Sequence, residues 1–424
     1  MDQHMQTGDQ TVAAEAQPLP MGKLLVLGLQ HTFTMFGATV LVPLLTGLDV
    51  SVALFMAGAG TLVFHLITGG SVPVFLGSSF AFIAPLAAVT GKFGSDAFKP
   101  EMMPLALGGA CVAGFAYLIL AVLVYVYGYR RIVSFFPPVV TGPIIMVIGL
   151  KLAPIAVGMA GKNWTLAVIS FAIVTAVSVF GKGFLRVLPV LCGLTGGYLA
   201  AVLLGYVDFA SIQSRGWLAF PNFTLAKFDV QVIMLVAPVA IATMVEHIGD
   251  VLAISETVKK NYIESPGLHR TLIGDGVATS LSALFGGPPN TTYSENTGVL
   301  ALTKVFNPLV MRVAAVFAII LGLVPKLGGL ISTIPESVVG GISIVLFGMI
   351  AAIGARSLIE NKIDLTQSRN LIIVAVILVL GLGGAVLPVK IATISFSLEG
   401  MALAAIVGIL LNKLLPETTD SETV

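Results

Sequence analysis

Charge is what this sequence has least of. Only 10% of its 424 residues are Asp, Glu, Lys or Arg, against about 25% in an ordinary soluble domain, so a soluble fold would lack the charges to coat its surface. The net charge is +1 and no basic cluster exceeds two or three residues, which removes the electrostatic footprint of a nucleic-acid-binding protein. Cysteine is nearly absent. Cys111 and Cys192 both lie in apolar runs, which excludes a disulfide framework and a cysteine-based metal site. The N-terminus lacks the basic stretch and short apolar segment of a signal peptide, and residues 1–22, rich in Gln and Ala, read as a disordered cytoplasmic tail. What is abundant is apolar side chain: 57% of the residues, with a mean hydropathy of +1.01. The sequence reads as a polytopic membrane protein that meets the lipid bilayer along most of its length.

Fourteen apolar runs follow the tail, most of them near the roughly 20 residues that span a bilayer as helix. They cover about 24–46, 50–69, 72–89, 105–128, 132–158, 164–180, 184–208, 231–254, 270–286, 288–303, 307–325, 329–354, 370–387 and 395–414. The runs are continuous instead of alternating, which excludes a β-barrel and predicts an all-α architecture. With a cytoplasmic N-terminus, fourteen Lys and Arg residues fall in inside segments and eight in outside ones. That bias favours both termini inside. The connection 209–230 then lies outside, and 416–424 is a C-terminal tail.

Two runs are short and interrupted by polar and helix-breaking residues. The third contains Gly77-Ser78-Ser79-Phe80-Ala81 and the tenth Asn290-Thr291-Thr292-Tyr293-Ser294; both read polar, polar, aromatic, small. A second echo joins Pro137-Pro138-Val139-Val140-Thr141-Gly142 in the fifth run to Pro335-Glu336-Ser337-Val338-Val339-Gly340 in the twelfth. Third with tenth and fifth with twelfth is the pairing of a seven-plus-seven repeat, inverted because seven is odd. Paired broken segments of this kind point to a transporter binding site near the midplane.

Ionisable residues inside a span are costly and mark function by default. Glu246 and Asp250 lie four apart in the eighth run and share a helix face. Asp275 follows in the ninth run, Glu295 lies in the broken tenth, and Gln30-His31 sit in the first. Glu246 and Glu295 offer carboxylate acceptors, while unwound backbone at Phe80 and Ser294 offers N–H donors, tolerable at membrane depth only against protein or a cavity. Phe80 and Tyr293 suit stacking on a flat ligand. A planar ring with alternating N–H and C=O groups, such as a nucleobase, satisfies both kinds of partner. Plainer roles stand beside these. Glu246 fits a solvated helix end, Asp250, nearer that end, fits one more readily, Asp275 fits a cap on a broken segment, and His31 fits a hydrogen-bonded core residue. His65 reads as packing, Lys151 as snorkelling to an interface, and Gly69-Gly70 and Gly340-Gly341 as turns or close helix contacts.

The run Asn290-Thr291-Thr292-Tyr293-Ser294-Glu295-Asn296-Thr297-Gly298, continuing to Thr303-Lys304, resembles the signature of the nucleobase–ascorbate transporter family of nucleobase–cation symporters. Glu246-His247, Gln30-His31 and Gly77-Ser78-Ser79-Phe80 are similar to other motifs of that family. The resemblance runs from about Lys23 to Leu415 and is greatest to bacterial uracil permeases. It implies fourteen spans in two inverted repeats, with short antiparallel strands in spans 3 and 10. It implies a core domain (23–128 and 231–326, spans 1–4 and 8–11) and a gate domain (129–208 and 327–415, spans 5–7 and 12–14). By the same resemblance Glu246 and Glu295 accept from ring N–H groups, the amides of Phe80 and Ser294 donate to a carbonyl, Tyr293 lines the pocket, and His31 supports the polar network. Asp250 stands where a uracil-permease pattern has histidine, and Asp275 where it has asparagine; both acids also occur in purine-transporting relatives.

The reading that results is a non-enzymatic, proton-coupled importer of uracil in the inner membrane, working by alternating access and needing no bound cofactor or metal. A carboxylate must be deprotonated to accept a ring N–H, and a low-dielectric site favours its neutral form, which is the physical case for proton coupling through Glu246, Asp250, His31 and Asp275. Sodium stays open, since a site of backbone carbonyls leaves no trace in sequence. The alternatives are a xanthine or uric acid symporter, which the opening Glu295 disfavours, and an anion transporter, which two carboxylates would repel. Family members often form homodimers through the gate domain.

Overall fold

The computed structural model describes residues 19–209, 212, 215–391 and 394–416. Most of the expected tails, residues 1–18 and 417–424, therefore lie outside the described residues. The helices of the first half are α1 (Met21–Thr46), α2 (Val50–Ile67), α3 (Ile83–Thr90), α4 (Met103–Tyr127), α5 (Tyr129–Val133), α6 (Pro138–Ala160), α7 (Trp164–Phe180) and α8 (Pro189–Leu203). Those of the second half are α9 (Val230–Val236), α10 (Ala240–Val258), α11 (Leu268–Leu284), α12 (Ser294–Thr303), α13 (Leu309–Gly322), α14 (Pro325–Ser332), α15 (Glu336–Glu360), α16 (Ser368–Leu382) and α17 (Gly400–Leu414). Four strands join them: β1 (Leu76–Ser78), β2 (Asn290–Thr292), β3 (Val386–Ile391) and β4 (Ile394–Glu399). Each of the fourteen expected runs contains a helix.

Local chemistry sets several of the boundaries. The carboxylate of Asp49 accepts from the amides of Ser51 and Val52, and Asn163 and Asp229 cap α7 and α9 in the same way. Gly47 closes α1 in a left-handed conformation at φ +80°. Buried threonines satisfy their hydroxyls on the preceding turn, as Thr46 does on the Val42 carbonyl at 2.8 Å. Alone, α1, α2, α4, α6 and α15 are long and apolar enough to cross a membrane, as is the stretch Val230–Val258; α13 and α14, bent by 78°, make one more candidate. The chain is a multi-pass, mostly helical membrane protein.

The structure departs from the sequence expectation near the C-terminus. The thirteenth and fourteenth runs are not helical throughout, because a second antiparallel hairpin, β3 with β4, separates α16 from α17. Gly383 and Gly384 stop α16, and Ile394-Ser395-Phe396-Ser397-Leu398-Glu399 alternates apolar and polar residues, the period of a strand. Likewise the run at 329–354 is split. Pro335 precedes the first turn of α15, and the residues before it fold separately as α14.

Helices α1, α2, α4, α11 and α13 pack on one another, and α6, α7, α8, α15, α16 and α17 form a second set of mutual contacts. The most extensive pairing is α6 with α15. Gly142 faces Gly354, Gly149 faces Phe347 and Ala351, and Gly340 faces Ala160, so the two helices run antiparallel with backbones close. Small residues at such a contact are what packing in lipid requires. The described stretch 215–230 of the connection lies across α4, α11 and the end of α13, with the amide of Lys227 donating to Pro104 O, that of Ala226 to Leu284 O and that of Ala219 to Leu323 O. Lys326 sits 4.4 Å above the Trp217 ring.

Candidate functional site

Two three-residue strands meet inside the helical body. Leu76 pairs with Thr292, Gly77 with Thr291 and Ser78 with Asn290, antiparallel. One further bond extends each end: the Ser79 amide donates to Pro289 O at 2.8 Å, and the Tyr293 amide to Phe75 O at 3.0 Å. The crossing therefore has a local two-fold centred on Gly77 and Thr291. Non-helical backbone at this depth needs every group paired, and threonines of the flanking helices do this. Thr61 bonds both backbone groups of Leu76, and the Thr279 hydroxyl donates to Asn290 O at 2.7 Å.

Each strand runs into a helical segment whose first residue presents a free backbone N–H. Those residues are Phe80, opening a short 3-10 turn before α3, and Ser294, opening α12. The local two-fold equates Phe80 with Ser294 and Ala81 with Glu295. The sequence echo, matched on its aromatics, set Phe80 against Tyr293 and is one residue out of the register. Phe80 is half-buried and meets Phe347 of α15 edge-on at 5.9 Å. Tyr293 is only 4% exposed. Its hydroxyl donates to Ser78 O at 3.0 Å and accepts from Thr39 at 3.3 Å, and its ring lies where a Cβ on Gly77 would be. Tyr293 thus locks the crossing by closing over the one residue that leaves it room.

The carboxylates gather beside α12. Glu246 is half-buried on α10, and its Oε2 is buried without a hydrogen-bond partner. Asp250, Asp275 and Glu295 all lie within its electrostatic reach. One turn on, Asp250 is engaged by both oxygens: Thr292 donates to Oδ2 and Ser294 to Oδ1, each at 2.6 Å. Asp275 Oδ2 lies 3.1 Å from His247 Nδ1, with both side chains fully buried. His31, 1% exposed, meets the Asn296 amide at 3.0 Å through Nδ1, and the same amide donates to the His31 carbonyl. Among the described residues no lysine or arginine pairs with any of the four acids. The structure thus brings Phe80, Tyr293, Ser294, Glu295, Glu246, Asp250, Asp275 and His31 around one crossing. Thr39, Thr292, His247 and Asn296 join the network without having been assigned a role from sequence, although the last three stood inside the quoted motifs.

Comparison with known proteins gives this constellation its context. A family model described as "Permease family" (Xan_ur_permease) matches residues 22–390. The chain belongs to that permease family. It is 47% identical over 411 residues to the uracil permease of Bacillus caldolyticus, covering 93% of both chains. It is 44% identical over 413 residues to the uracil permease of Bacillus subtilis (strain 168), again covering 93% of each. This permease is a transporter and not an enzyme. Among solved structures, the transmembrane domain of the cyanobacterial bicarbonate transporter BicA superposes with a TM-score of 0.65 at 13% identity, covering 94% of this chain and 98% of that one. Murine Solute Carrier 26 family member A9 gives 0.64 at 12%, covering 95% and 70%. At these identities the likeness establishes a shared fold alone.

Proposed function

We propose that this permease carries uracil across the inner membrane together with a proton, by alternating access. The observation that carries the reading is the buried, unpartnered Oε2 of Glu246 in a cluster of acids that, among the described residues, no lysine or arginine pairs with. A lone buried acceptor is costly until a donor reaches it, and a ring N–H is such a donor. Glu295 supplies a second acceptor, and the amides of Phe80 and Ser294, at the positive ends of two helical segments, supply donors for a carbonyl. Phe80 offers a ring face. The names of the relatives point to the same base. Xanthine or uric acid is the second reading, on the strength of Asp250 and Asp275, but Asp250 already spends both oxygens on hydroxyls. An anion fits poorly among four carboxylates, whatever the fold's other hosts carry.

In this reading the chain spans the membrane fourteen times as two inverted repeats, with both termini cytoplasmic. The set of α1, α2, α4, α11 and α13 forms a core that moves against a gate built on α6 and α15, which also carries any dimer contact. Ligand and proton bias that movement through differential affinity. The test is uptake of labelled uracil into proteoliposomes with an imposed inward proton gradient, with unlabelled uracil, xanthine, uric acid and sulfate as competitors. Competition by uracil alone is expected. Glu246→Gln should reduce gradient-driven accumulation to background. Full accumulation by that variant overturns the coupling role, and uptake that demands sodium at zero pH gradient names the wrong ion.

A further inference from the structure

A cavity that touches neither Glu246 nor Glu295 has a chemistry of its own. It encloses about 520 Å³ where the N-termini of α6 and α16 meet the C-terminus of α17, lined among others by Ser134, Arg369, Asn370, Asn412, Lys413 and Leu414. Among the described residues no carboxylate lines it. Arg369 is held by neutral acceptors only: Nε donates to Leu415 O at 3.2 Å, Nη2 to Asn412 O and Oδ1 at 2.6 and 3.0 Å, and Nη1 to Asn370 Oδ1 at 3.3 Å. One of its five N–H donors is left over. Lys413 donates to Ser134 Oγ at 3.2 Å and sits 4.2 Å above the Phe135 ring. Arg369 is held by several bonds and Lys413 stands exposed beside it, yet no acid neutralises either among the described residues.

We propose that this cavity binds the phosphate of an anionic phospholipid headgroup. Two cations and two helix N-termini converge on one space, which is the arrangement that favours a phosphate. The volume exceeds what a bare phosphate fills and suits a headgroup with its glycerol. Leu414, 76% exposed on the rim, extends the pocket with an apolar shoulder for an acyl chain. Basic pockets between transmembrane helices at the cytoplasmic boundary recognise such headgroups. Arg130 and Arg131 of α5, just before Ser134, add charge to the same end of the molecule. Nothing in this site depends on uracil.

The experiment uses the purified full-length chain in neutral detergent, with the thermal unfolding midpoint read against short-chain phosphatidylglycerol and, separately, inorganic phosphate. A saturable rise with phosphatidylglycerol is expected, and Lys413→Gln should need about five times more lipid for the same rise. Lys99→Gln, which removes an equal charge from an exposed site elsewhere, should respond as the parent does. Arg369→Gln also removes bonds to the end of α17, so Lys413→Gln carries the decision. A rise with inorganic phosphate at millimolar concentration, weakened by the same variant, moves the source from lipid to free phosphate. No saturable rise with either probe, or an unchanged response in Lys413→Gln, overturns the proposal.

Discussion

The two broken segments share a backbone and differ in chemistry. In both, a buried three-residue strand ends in one extra ladder bond and opens a helical segment at a free N–H, at Phe80 and at Ser294. Beyond that point they part. The first continues into Ala81 and Phe82, and its Ser78 hydroxyl is spent on the Thr39 carbonyl. The second continues into Glu295 and Asn296, with Thr292 and Ser294 tied to Asp250. Backbone donors are thus available on both sides, while carboxylate acceptors stand on one side only. A shared local geometry can be kept for positioning while only one copy holds the groups that tell one ligand from another.

The largest effect should come from removing the backbone donor on the acidic side. Ser294→Pro deletes that N–H at the first helical position, where proline is otherwise accepted, and Tyr293 before it is already extended at φ −105°. Losing this donor and the hydroxyl on Asp250 should weaken uracil binding more than ~100-fold, by about 3 kcal/mol, in protein that remains monodisperse. Equilibrium binding near the parent value would show that the second segment does not donate to the ligand.

Next comes the shared scaffold. Gly77→Ala pushes a methyl group into the Tyr293 ring and should lower stability by about 3 kcal/mol, the upper range for overpacking, as read by thermal unfolding. Because Tyr293 comes from the second segment and Gly77 from the first, this loss would show the two being held as one unit. An unchanged midpoint would mean that the crossing is looser than its contacts imply. Smaller again is Glu295→Gln, which trades an acceptor oxygen for an amide donor. Uracil affinity should fall by about 2 kcal/mol, roughly thirtyfold. Affinity close to normal would remove Glu295 from the ligand and the asymmetry with Ala81 from the argument.

Much of this was legible in sequence because membrane depth is unforgiving. Interrupting residues such as Pro288-Pro289 and Gly77 stand out in an apolar background, and four acids within fifty residues stand out further. Register was not legible. Matching aromatic to aromatic set Phe80 against Tyr293, whereas the two-fold of the ladder equates it with Ser294, since hydrogen-bond pairing reads backbone position and not side-chain type. The role of the Ser294 hydroxyl was hidden for a different reason. Asp250 lies 44 residues before it, and no periodicity links a residue in mid-helix to the start of another helix. The β3–β4 hairpin was masked by its apolar content, which a window tuned to helices absorbs.

That hydroxyl sets the finest test of the asymmetry. Ser294→Ala leaves the amide in place but takes from Asp250 one of its two donors at 2.6 Å. A hydrogen bond to a charged group contributes about 1.5–3 kcal/mol, and the Ser294 side chain is exposed enough for water to replace part of it. The expected cost is therefore at the lower end, about tenfold in uracil affinity. A hydroxyl removal on the other side, one residue before Phe80, is Ser79→Ala. Ser79 Oγ is buried without a partner, so its loss should be neutral or slightly stabilising, within about 0.5 kcal/mol. Parallel binding isotherms of the two variants decide between two pictures. A tenfold gap means that Asp250 steers the ligand by holding the start of α12. Equal affinities would mean that the amide alone matters, and that Asp250 serves the proton and not the base.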